Sequence, residues 1–132
     1  MKKSGSLLLM ALVSACVMEA PVTTQMSAAT EANIARETAG LTAGRPVACI
    51  DDRGLRGPRA AGPGVFVFEA SPGLIYVNRT HGNCGNLKLN RSVSFTKVGS
   101  QLCRGDIAKT FDPYTGIQGD FCSLGDFQPY RR

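Results

Sequence analysis

An all-β domain, either a small antiparallel sheet or a barrel-like fold with two disulfides and little helix, is predicted for residues 45–132. Three observations predict it. Apolar residues there come in short runs separated by Pro and Gly turns. Fifteen Gly and seven Pro with no Trp favour a turn-rich chain. No window of the segment carries a helical apolar stripe. A length of 132 residues leaves room for one such domain. With 43% hydrophobic and 19% charged residues, the composition excludes a wholly disordered chain and a polytopic membrane protein. A multidomain enzyme and a coiled coil are excluded as well.

The elements follow in chain order. Lys2 and Lys3 precede the apolar run 7–13, which is far shorter than the ~20 residues that span a bilayer, so residues 1–15 read as a signal peptide. Val13-Ser14-Ala15-Cys16 resembles the lipobox of bacterial lipoproteins. The resemblance implies that Cys16 takes a diacylglycerol and that its new amino terminus is acylated, for example with palmitate. The alternative is an ordinary cleaved signal with Cys16 near the cut. The resemblance to Gram-negative lipoproteins further implies, from Val17 in place of Asp, the periplasmic face of the outer membrane rather than inner-membrane retention or secretion. Parity agrees: without Cys16, the five cysteines become the even set Cys49, Cys84, Cys103 and Cys122, suited to an oxidising compartment.

Residues 16–44 read as the lipidated cysteine and a flexible tether. Residues 17–44 hold no aromatic and no cysteine, whereas all nine aromatics lie between Phe66 and Tyr130. Such a segment buries too little apolar surface to offset its ordering entropy. It permits one short helix near residues 31–39, stopped by Gly40. As a coil it spans roughly 30 Å. Charge divides at the same place. The tether sets Arg36 against Glu19, Glu31 and Glu37, while residues 45–132 set nine Arg and three Lys against six Asp and one Glu.

Within the domain, Val47-Ala48-Cys49-Ile50 reads as a first strand. Val65-Phe66-Val67-Phe68 is apolar on both faces and reads as a central, covered strand. Ala70-Ser71-Pro72-Gly73 has the Pro and Gly positions of a type II turn leading into a second strand at 74–77. Residues 92–96 alternate polar and apolar, as a half-exposed strand does. Two strands, 107–111 and 117–121, flank the turn Asp112-Pro113-Tyr114-Thr115-Gly116, and residues 127–130 add a last edge segment. A single helical turn fits near 103–108.

About 88 residues bury only roughly 60–65% of their unfolded surface, so two disulfides at ~2–4 kcal/mol each matter. Four cysteines allow three pairings, and spacing alone does not choose. A nested set, Cys49–Cys122 with Cys84–Cys103, is preferred slightly over a sequential set, Cys49–Cys84 with Cys103–Cys122.

The motifs that carry charge are modest. Arg53, Arg56 and Arg59 stand three apart in a Gly-Pro loop. In a polyproline-II segment they would project on one side as an anion contact, and Arg79, Lys88 and Arg91 would widen it. The plainer reading is a solvated loop. His81 with Cys84 is half a zinc motif without its other half. No Gly-x-Ser-x-Gly marks a nucleophile. Asp51 and Asp52 face opposite sides of a strand, and Asp106, Asp120 and Asp126 follow Gly as turn residues do. Arg104-Gly105-Asp106 and the glycosylation patterns at Asn78 and Asn90 are short enough to arise by chance. No catalytic residue, metal ligand set or cofactor is expected.

Cys49-Ile50-Asp51, Leu55-Arg56-Gly57-x-Arg59, Tyr76-Val77-Asn78-Arg79, Leu102-Cys103-Arg104-Gly105-Asp106 and Phe127-x-Pro129-Tyr130-Arg131 occur in order. This ordered set resembles a group of small exported proteobacterial proteins and lipoproteins with a four-cysteine domain. The resemblance covers residues 45–132 and implies no activity, cofactor or catalytic residue. The expected function is that of a membrane-anchored periplasmic lipoprotein with a non-enzymatic interaction or envelope-structural role. The alternatives are a binding module for lipopolysaccharide or peptidoglycan anions, or an inhibitor of a lytic enzyme or protease. Membrane contact through the lipid and an envelope protein, glycan or lipid are the expected partners. Nucleic acid is not, for want of a recognition module.

Overall fold

The computed structural model describes residues 22–82, 84 and 92–132, with the backbone alone for 22–27. The signal peptide, Cys16, Lys88, Asn90 and Arg91 lie outside the described residues. In chain order the elements are α1 (Val22–Glu37), β1 (Thr42–Ala43), β2 (Cys49–Asp51), β3 (Arg56–Gly62), β4 (Val65–Ser71) and β5 (Leu74–Arg79). They continue with β6 (His81–Gly82), β7 (Ser92–Thr96), β8 (Gln101–Cys103), β9 (Ile107–Phe111), β10 (Gln118–Ser123) and β11 (Phe127–Arg131). The strands form three antiparallel sheets: β1-β11-β5-β4-β3, β6-β10-β9-β7 and the two-stranded ribbon β2-β8. The all-β class predicted from sequence is what the chain adopts, as open sheets rather than a closed barrel.

The apolar run at the start of β4 explains the layering. Alternate residues of a strand face opposite sides, so Phe66 and Phe68 point one way while Val65 and Val67 point the other. Phe66 and Phe68 join Ile50, Leu102, Ala108, Leu124 and Phe127 in a core that ties all three sheets together. Aromatic rings line it: Phe68 lies 5.9 Å from both Phe95 and Phe127, in tilted contacts. Val65 and Val67 form a second core with Ala61, Ile75, Val77 and Ile34 of α1. A central strand with both faces covered was legible in these four residues. What covers the second face was not.

The cover is α1, which corrects the expectation of a flexible tether for its second half. Ile34 is buried, Asn33 Nδ2 donates to Ala61 O at 2.7 Å, and Glu37 pairs with Arg59. Gly62 permits the approach, since a Cβ there would overlap the Thr30 side chain. The helix begins earlier than residue 31 and ends at Glu37, two residues short of the expected 39, with Gly40 at φ +76° in the turn that follows. Low apolar content argued against order, yet buried Ile34 and ion pairs from Glu31 and Glu37 hold the helix on a ready-made sheet face.

The β4–β5 hairpin forms as predicted, but Gly73 is not among the positive-φ glycines, so the turn is not type II; a register shift between Glu69 and Ser71 realigns the strands instead. The strand expected at 47–50 is β2 and starts at Cys49, with Val47 in an isolated bridge to Phe127. Strand β11 is no edge segment: it lies between β1 and β5. A non-helical turn at Arg104-Gly105 replaces the helical turn at 103–108. The disulfides are Cys49–Cys103 and Cys84–Cys122, neither the nested nor the sequential set. Cys49 and Cys103 stand directly opposite on β2 and β8, a long-range strand pairing that cysteine spacing does not encode.

Candidate functional site

The arginine loop does not form a one-sided cationic stripe. Gly54 and Gly57 hold φ of +75° and +110°, and the Gly57-Pro58 peptide is cis. A polyproline-II path needs φ near −75° throughout, so the arginines diverge. Arg53 turns back onto Asp51, with its Nη2 2.7 Å from Oδ2 and its backbone N–H donating to Oδ1 at 3.0 Å. Arg56 lies opposite Glu69 on β4, 4.0 Å from its carboxylate. Arg59 donates to Glu37 at 2.7 Å and also lies 3.5 Å from Glu69. Arg79, the fourth cation expected nearby, pairs with Glu31 of α1 at 2.8 Å.

These pairs shift the titration of their members. Hydrogen bonds from the Arg53 side chain and backbone lower the Asp51 carboxyl from 3.8 to about 2, and the nearby charge of Arg53 adds to the effect. The Arg53 guanidinium is raised in turn, first by its hydrogen bond to Asp51. Arg59 is raised chiefly by its hydrogen bond to Glu37. An anionic ligand at this loop would therefore compete with carboxylates already in place.

The remaining candidates disperse. Asp51 and Asp52 take different partners, Arg53 and Lys97, so they do not act together. Cys84 is bonded to Cys122, which removes the thiolate that a zinc site with His81 would require. His81 is exposed on β6, paired in register with Ser123 of β10, and borders an open cleft of about 480 Å³ with Ile107, Asp120 and Phe121. Arg104 is bound to Asp126 at 2.9 Å, and Asp106 accepts the Cys103 N–H at 2.8 Å. Both charges of the Arg-Gly-Asp tripeptide are thus used within the fold. Asn78 is fully buried, so its side chain is no glycan acceptor in the folded domain.

One feature escaped the sequence reading. Tyr114, Ile117 and Phe121 belong to the β9–β10 hairpin and are 94%, 67% and 69% exposed. Asp112 builds the turn that presents them: its carboxylate accepts the N–H groups of Tyr114 and Thr115 at 2.8 and 3.1 Å, and its carbonyl accepts that of Gly116. The turn itself was legible from Asp-Pro and Gly. The signal for exposure was an aromatic inside a five-residue turn, a place with no strand face to bury it.

Fold and bonds together define a small, disulfide-bridged antiparallel β domain with one docked helix. Comparison with known protein families, curated proteins and solved structures finds no significant match to any of them.

Proposed function

We propose that the chain is an envelope lipoprotein, held at the periplasmic face of the outer membrane by acylated Cys16, that works by contacting another envelope protein rather than by catalysis. The lipobox supports the anchor. The four downstream cysteines pair among themselves, which suits an oxidising compartment and demands nothing of Cys16.

The observation that carries the contact reading is the exposed Tyr114, Ile117 and Phe121 on one hairpin. Aromatic and aliphatic side chains gathered at a surface are the composition of a protein interface. The arginine loop, by contrast, already meets carboxylates at Arg53, Arg56 and Arg59, which favours a protein partner over an anionic glycan or lipid. Inhibition of a lytic enzyme is the same contact with a particular partner.

Photocrosslinkers placed at Tyr114, Phe121 and Arg56 of the anchored protein in cells test the reading. A reproducible protein adduct from the hairpin positions is expected. Salt-sensitive glycan or lipid adducts from position 56, with none from the hairpin, would overturn it. For the anchor, Cys16→Ser should abolish the lipidated mature form and its membrane association; unchanged mobility and fractionation would refute lipidation.

A further inference from the structure

We propose that Cys49–Cys103 is a thiol–disulfide exchange site for a dithiol reductant, and that its reduction frees the β2–β8 ribbon while Cys84–Cys122 holds the rest of the domain together. The two bridges differ in access. Cys84 and Cys122 are 0% and 2% exposed within the main core. Cys49 and Cys103 are each half-buried, which makes theirs the more accessible of the two bridges to an attacking thiolate.

The setting gives that access a consequence. Among the described residues, strands β2 and β8 form a sheet of their own, through three registered positions, one of them the disulfide pair itself. The Cys103 N–H donates to Asp106 Oδ2 rather than across the ladder, and the next strand-to-strand hydrogen bond runs from Arg104 N–H to Ala48 O. A two-stranded ribbon is marginal by itself. Besides the bridge, Ile50 and Leu102 in the main core and the Asp52–Lys97 ion pair seat it, and its ends are tied by the Val47–Phe127 bridge and by backbone hydrogen bonds of Gly105 and Asp106 with Leu124. A cleft of about 270 Å³ bordered by Asp52, Leu55, Pro58, Phe95 and Leu102 already lies along this seam. Loosening the ribbon enlarges that cleft and bares an apolar wall. By contrast, Cys122 sits in β10, paired on both sides by β9 and β6.

In the exchange, a thiolate of the reductant attacks one sulfur of the bridge. The S–S bond breaks, the other cysteine leaves as a thiolate and takes a proton. The second thiol of the reductant then displaces the mixed disulfide, releasing the first cysteine. The bridge gains two electrons and two protons, and the dithiol becomes a disulfide.

Graded dithiothreitol on the folded full chain, quenched with a maleimide and mapped by peptide, tests the proposal. Cys49 and Cys103 should become labelled together at least about tenfold faster than Cys84 and Cys122. Hydrogen exchange should rise in residues 49–51 and 101–103 while β4 and β5 stay protected. Equal rates, earlier labelling of Cys84 and Cys122, or exchange rising throughout at once would overturn it. A Cys49→Ser, Cys103→Ser chain gives a second measurement. It should keep Cys84–Cys122 and protection of β4 and β5, and loss of that protection counts against the proposal.

Discussion

Asn78 and Gly125, 47 residues apart, grip each other through two reciprocal hydrogen bonds: Asn78 Nδ2 donates to Gly125 O at 2.8 Å, and Gly125 N–H donates to Asn78 Oδ1 at 2.9 Å. Asn78 is fully buried in β5, so its amide acts as a strand partner for a loop that lacks one. Gly125 is required at this spot because a Cβ would overlap the carbonyl oxygen of Arg79. The contact carries the chain from β10 into β11 and so joins the four-stranded sheet to the five-stranded one.

Removing that amide leaves a buried N–H and C=O unpaired, which costs about 1–3 kcal/mol for each group left unsatisfied. Asn78→Ala should therefore destabilise by about 2–4 kcal/mol. Urea unfolding should show a lower midpoint with an unchanged slope. Gly125→Ala should do the same through steric overlap, and a midpoint within error of the native one for either variant would contradict this account.

Docking of α1 rests on apolar burial more than on charge. Ile34 is 4% exposed between the helix and the sheet, and Ile34→Ala is expected to cost about 2–4 kcal/mol in transfer and cavity terms. Limited proteolysis within 28–40 should accelerate well before cleavage in β4 or β5.

The Arg59–Glu37 pair is partly exposed, at 41% and 34% for the two side chains. Its loss in Glu37→Gln should cost at most about 1 kcal/mol. Hydrogen exchange in the last turn of α1 should increase, with little change in the urea midpoint. A loss as large as that of Ile34→Ala would mean that charge, not burial, seats the helix.

The Asp51 carboxyl should titrate near 2 by NMR, and Arg53→Gln should return it towards 3.8. Because the folded value is depressed, the pair's contribution is present above the unfolded value and is lost as pH falls through about 2. Both groups are solvent-exposed, so the effect belongs in the titration curve of this residue rather than in the overall acid stability.

The elements legible in the sequence are those whose physics lies in a few adjacent residues. Strands β7 and β9 were legible from alternation and from a Pro/Gly turn, and the doubly covered β4 from four apolar residues in a row. Features whose partner is remote were not legible there. The spacing of Arg53, Arg56 and Arg59 is periodic, but positive φ at Gly54 and Gly57 breaks the regular path, and Glu69 and Glu37 claim two of the three guanidiniums. Glycine frequency in the loop hinted at such a path without saying where each side chain would point.

The all-β class, the β4–β5 hairpin and the even set of four cysteines are written in the chain, because alternation, turn chemistry and residue identity are local properties. Folding brings Cys49 to Cys103 and Cys84 to Cys122, flanks β11 on both sides, and lays a helix from the expected tether over Val65 and Val67. These are pairings between distant segments. They are chosen by which buried faces fit together once the sheets exist, a competition among surfaces that no short stretch of the chain contains.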